Sequence, residues 1–107
     1  MEPRAKYPDS GRRALALRLY CGFPEQRPGQ KDFVKWIGNG LTTARWGMVE
    51  RGQTPFSDRM YQILRKRLPW LEWDWLREGK EGKMPLNYER PLLQTLAKLR
   101  NGTTLEA

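Results

Sequence analysis

Glycine and proline divide this chain into segments too short for anything but small helices, and inside those segments apolar residues recur at helical spacing. The interruptions are Gly22, Pro24, Pro28, the Gly38-Asn39-Gly40 triplet, Gly52, Pro69, Gly79 and Pro85. Between them, Ala14, Leu17 and Cys21 share one helical face, as do Phe33, Val34 and Ile37, then Met60, Ile63, Leu64 and Leu68, and finally Leu92, Leu96 and Leu99. No segment shows strand-like alternation. The expected fold class is all-α, with helices over Ser10–Cys21, Gln30–Ile37, Thr42–Arg51, Asp58–Leu68, Glu72–Arg77 and Arg90–Arg100. Hydroxyls at Ser10, Thr42 and Ser57 are placed to cap three of them. The expected organisation is a flexible arm over residues 1–10, a five-helix domain over 11–79, and a linker with a C-terminal helix over 80–107. Arg4 and Lys6 of the arm either track phosphates or belong to an end with no role.

Composition narrows the function. A length of 107 residues suits one compact unit, and 38% hydrophobic content with five tryptophans is enough for a small core. The net charge of +8 favours a polyanionic partner, since binding one releases its counterions. The chain has no histidine, which excludes a Cys/His zinc site and every nucleophile that depends on imidazole. Its one cysteine, Cys21, lies in an apolar helical run and reads as an inert thiol. No apolar run is long enough to cross a bilayer, and the first residues lack the apolar core of a signal peptide. A cytosolic location in a cell without a nucleus, or a location wherever the DNA is, is expected, with no membrane partner, no metal and no cofactor.

The stretch from Gln30 to Gly52 carries most of the functional information. It reads as two short amphipathic helices joined by a turn of residues that tolerate positive φ. The later helix turns Leu41, Trp46 and Val49 inward and Thr43, Ala44, Arg45 and Met48 outward. A helix that packs on one side and offers small, hydrogen-bonding and cationic side chains on the other is what a DNA major groove accepts. The free N–H groups at the start of the earlier helix attract an anion, and Gln30 and Lys31 stand there.

The order of parts resembles the lambda-repressor-like, XRE-type helix-turn-helix proteins, in particular their small α-proteobacterial members. The resemblance spans about Arg12 to Gly79 and rests on Gln30, on Val49-Glu50-Arg51-Gly52, on Pro55 and Ser57, on the Arg45-Trp46 pair, and on the ending Asp74-Trp75-Leu76-Arg77-Glu78-Gly79. Three departures stand out. About two extra residues fall at Asn39 and Gly40, Val34 replaces a small alanine, and Trp46 replaces a smaller core residue. A ring at Trp46 either pushes the two helices apart or swings toward solvent or DNA.

The resemblance implies that Thr43, Ala44, Arg45 and Met48 read bases. Arg45 would either bond both O6 and N7 of a guanine or meet solvent or phosphate. Phosphate contacts would come from Gln30, Lys31, Lys35, Thr42, Arg51, Gln53 and Thr54. The resemblance also implies that Glu50 pairs with Arg18 of the first helix as a structural element. Gly47 marks a close approach to a neighbouring helix or to DNA. Trp70, Trp73 and Trp75 read as packing residues rather than stacking platforms. Leu92, Leu93, Leu96 and Leu99 either cover the globule or pair between subunits. The expected function is a double-stranded DNA-binding transcriptional regulator, a repressor acting as a homodimer. The competing reading is a protein-interaction module on the same scaffold, an antitoxin or antiactivator that binds a partner protein. Scattered carboxylates and the lack of a phosphate-cradling loop argue against an enzyme.

Overall fold

The computed structural model describes residues 6–26 and 28–100 and is all-α, with six helices and no strand among the described residues. They are α1 (Pro8–Tyr20), α2 (Gly29–Ile37), α3 (Thr43–Glu50), α4 (Asp58–Arg67), α5 (Trp73–Glu78) and α6 (Leu86–Arg100). Among the described residues, no helix is long and apolar enough to cross a membrane.

The hydroxyl caps divide two to one. Thr42 Oγ1 accepts from the Arg45 N–H at 3.2 Å and Ser57 Oγ from the Met60 N–H at 3.2 Å, as their positions predict. Ser10 does not cap. The first helix begins at Pro8, because proline at a helix start lacks only an N–H that would be unbonded there and its φ is preset. Ser10 is thereby drawn inside α1 and buried, its hydroxyl without a hydrogen-bond partner among the described residues. The expected arm at Arg4 lies outside the described residues. Lys6 and Tyr7 lie within them, and both backbone N–H groups donate to the Gly52 carbonyl, at 2.9 and 2.8 Å.

One core serves all six helices. Ala14 and Leu17 of α1 meet Phe33, Val34 and Ile37 of α2, Trp46 and Val49 of α3, Met60 and Leu64 of α4, Trp75 and Leu76 of α5, and Leu92 of α6. α1 is the central element and packs on α3, α5 and α6. Its approach to α3 is set by Gly11, where a Cβ would stand 2.6 Å from the Glu50 carbonyl oxygen. Arg13, also buried, donates from Nε to the Leu76 carbonyl at 3.0 Å and from Nη2 to the Arg77 carbonyl at 2.7 Å. A cation is thus placed on the negative end of α5, where the last carbonyls have no partner within the helix.

The last helix starts about one turn before the expected Arg90. Pro91 lies inside it and has no N–H to give the carbonyl four residues back, on exposed Asn87. Tertiary contacts hold the added turn. Tyr88 stacks on Trp70 at 4.4 Å between centroids, and the buried Glu89 carboxylate accepts from the Gly82 N–H at 3.0 and 3.2 Å. Leu92 and Leu96 are buried against the molecule's own core, whereas Leu93 and Leu99 are half-buried and Leu86 is 60% exposed.

The tryptophans are packing residues. Trp75 is buried, Trp70 is held between the edge of Tyr20 and the face of Tyr88, and Trp73 lies against Tyr61 with the Arg77 guanidinium over its ring. Cys21 is half-buried against the core, and burial pushes its thiol up to about 12, which keeps it protonated and unreactive near neutrality.

Candidate nucleic-acid interface

The outer face of α3 is held from behind by a buried carboxylate. Glu50, the last residue of α3, takes a bidentate pair from Arg18 of α1, Nε to Oε2 at 2.7 Å and Nη2 to Oε1 at 3.0 Å. The two side chains are only 4% and 9% exposed. The Trp46 indole N–H donates to the same carboxylate, and the Gln30 side-chain amide of α2 reaches it at 3.3 Å. One charge therefore ties three helices together. A buried carboxylate with this many donors is satisfied, whereas one stripped of its guanidinium is not. Arg18 uses its remaining nitrogen on the Pro24 carbonyl, which also fixes the loop before α2. That loop passes so close that a Cβ on Gly29 would collide with the Pro24 oxygen.

Trp46 stays in the core. Its ring lies 4.8 Å from Phe33 and 6.1 Å from Phe56 between centroids, with no exposed surface. The indole is accommodated there because its polar edge finds Glu50 one turn along the same helix. The turn from α2 to α3 runs through positive φ three times, at Gly38 (66°), Asn39 (56°) and Gly40 (91°). Asn39 anchors it, its side-chain amide donating to the Ile37 carbonyl at 3.1 Å.

With the inner side fixed, the outer side of α3 presents Thr43, Ala44 and Arg45, all exposed, and Met48 at 39% exposure. Arg45 makes no side-chain hydrogen bond or ion pair among the described residues. Lys31 and Lys35 are exposed one turn apart on α2. Arg51 follows α3 and lays its guanidinium across Gly47, where a Cβ would meet Nη1 at 2.9 Å and the Gln30 Oε1 at 3.5 Å. The close approach marked by Gly47 is therefore to side chains of its own molecule.

The expected phosphate-binding residues separate into three groups. Lys31, Lys35 and Arg51 are exposed cations flanking α3. Gln30 is turned inward to Glu50 through its side-chain amide, leaving its backbone at the start of α2. Thr42, Gln53 and Thr54 are part of the frame. Thr42 caps α3, and the Gln53 and Thr54 N–H groups donate to the Met48 carbonyl at 2.9 and 3.4 Å. Thr42, Arg45, Met48 and Thr54 converge on one groove of about 440 Å³ between α3 and α4. The groove also takes in Arg59 of α4, a cation that helical spacing alone assigns to an outward face. Its direction toward α3 depends on how the loop over residues 52–57 returns the chain, and no local pattern encodes that.

No protein-family model matches this chain, and neither the curated proteins nor the solved structures contain a significant match to it.

Proposed function

We propose that this protein is a sequence-specific double-stranded DNA-binding regulator, a repressor with the layout of the lambda-repressor-like helix-turn-helix proteins. The observation that carries the reading is the guanidinium of Arg45, without a partner among the described residues and exposed on a helix whose opposite side is locked by the Arg18–Glu50–Trp46 cluster. Preorganisation of this kind supports a bidentate contact to guanine, which discriminates against a wrong base by about 1–3 kcal/mol. Thr43, Ala44 and Met48 complete the base-reading face, while Lys31, Lys35, Arg51 and the frame around Thr42, Gln53 and Thr54 set register on the phosphates. The protein works in the cytoplasm as a homodimer on half-sites about one helical turn apart. The exposed Leu86 and half-exposed Leu93 and Leu99 of α6 supply an apolar surface for that pairing.

A second reading, a protein-interaction module acting as antitoxin or antiactivator, draws on Met48 and Leu86 as exposed apolar groups. Selection of bound duplexes from a random pool separates the two. Enrichment of a palindromic sequence, with binding that falls steeply as salt rises and is lost on Arg45→Ala, supports the regulator. Failure to enrich any sequence, together with tight capture of a protein partner, supports the interaction module.

A further inference from the structure

The groove between α3 and α4 combines an apolar wall with two cations. Its apolar wall is made of Leu41, Met48, Val49, Pro55, Met60 and Ile63. Two arginines, Arg45 and Arg59, line the same groove, and among the described residues no Asp or Glu lines it. Like Arg45, Arg59 is exposed and makes no side-chain hydrogen bond or ion pair among the described residues. A phosphodiester backbone satisfies guanidiniums and leaves the apolar wall wet. An apolar body without a charge covers the wall and strands the cations. An occupant carrying both meets both, and about 440 Å³ lies within the range of small-molecule sites.

We propose that this groove binds an amphipathic carboxylate, a medium-length acyl or small aryl acid whose apolar body lies against Met48, Met60 and Ile63 and whose anionic head is held by Arg45 and Arg59. Because Arg45 and Met48 also belong to the base-reading face, an occupied groove excludes the duplex, and the acid acts as an inducer. That regulatory half rests on the DNA-binding reading above; the binding half does not.

The four methionines provide the assay. Met48 and Met60 line the groove, whereas Met84 is buried in the core outside it. In the full chain carrying ¹³C-methyl methionine, titration with decanoate below its micelle concentration should move the Met48 and Met60 methyl resonances saturably and leave Met84 in place. Decylammonium, with the same chain and the opposite charge, should move neither. Loss of one charge-assisted contact in Arg59→Gln should weaken decanoate by about ten- to a hundredfold. Absence of saturable shifts, equal movement of Met84, or equal binding of decylammonium overturns the proposal. So does a dependence of the Met48 and Met60 shifts on protein concentration before decanoate is added, since a second copy then fills the groove. A parallel titration against a selected duplex keeps the two readings apart. Duplex binding with no methyl response to decanoate refutes the groove and leaves the regulator standing. A saturable response in a protein that binds no duplex supports the groove and refutes the regulator. Duplex binding undiminished by saturating decanoate refutes the inducer role.

Discussion

Replacing Arg18 by methionine tests the idea that one buried charge cluster holds α1, α2 and α3 in register. The guanidinium supplies two of the hydrogen bonds to Glu50, at 2.7 and 3.0 Å, and a third to the Pro24 carbonyl. Methionine fills much of the volume but leaves Glu50, with its side chain 9% exposed, facing only the Trp46 indole and the Gln30 amide. Breaking a buried pair by removing one partner costs about 3–5 kcal/mol. For a domain of this size that lowers Tm by about 15–30 °C. The double variant Arg18→Met/Glu50→Leu should recover part of the loss, because no uncompensated charge remains. Its residual penalty, about 1–3 kcal/mol, comes from the Trp46 N–H left buried without an acceptor. Urea unfolding followed by tryptophan fluorescence measures all four proteins, the native chain, the two single variants and the double. A loss below about 1 kcal/mol for Arg18→Met, or a double variant as unstable as the sum of the two singles, refutes the reasoning.

Gly11→Ala puts a Cβ 2.6 Å from the Glu50 carbonyl oxygen, a backbone atom that cannot move aside without shifting α3. Thermal unfolding should show a loss of about 1–3 kcal/mol, the usual cost of overpacking, even though alanine is the better helix former. Thr42→Ala removes the cap on the Arg45 N–H and should cost about 1 kcal/mol in urea unfolding, while Thr43→Ala, an exposed position with no cap bond, should cost less. Cys21 should resist iodoacetamide at pH 9, where an ordinary thiol, with its value of 9.0, is half ionised, because its own value is pushed up to about 12. The same shift has a stability consequence. The unfolded chain releases the thiol proton before the folded one does, so the contribution of Cys21 is complete below pH 9 and declines as pH rises from there toward 12. Alkylation at the rate of a free thiol in native protein contradicts this placement.

The helices were readable in the sequence because their signals are local. Thr42 and Ser57 cap as their positions predict, Gly38, Asn39 and Gly40 turn the chain through positive φ, and Gly79 closes α5 in the left-handed conformation. What local pattern left open was settled by tertiary contacts. Ser10 lost its capping role to Pro8, and α6 gained a turn because Tyr88 and Glu89 find Trp70 and Gly82 across the fold. The site divides along the same line. The outward residues of α3 follow from helical spacing, so Thr43, Ala44, Arg45 and Met48 lie on the exposed side as expected. The inward turn of Gln30, the drape of Arg51 over Gly47 and the approach of Arg59 to α3 depend on distances between elements, which spacing along one helix does not contain. Arg13 is the clearest case. Its charge and its place in an arginine pair point to solvent, yet it is buried and caps α5 more than sixty positions away.

The proposed regulator needs Arg45 to read a base from a rigidly held helix. The most direct measurement is the ratio of dissociation constants for a selected duplex and a scrambled one of equal length, at fixed salt, for the native protein and for Arg45→Ala. If the guanidinium reads a guanine, the ratio collapses by about tenfold or more while binding to scrambled duplex changes little. If the ratio is unchanged, or both duplexes weaken together, Arg45 contacts at most phosphate and the outer face of α3 does not read sequence through it.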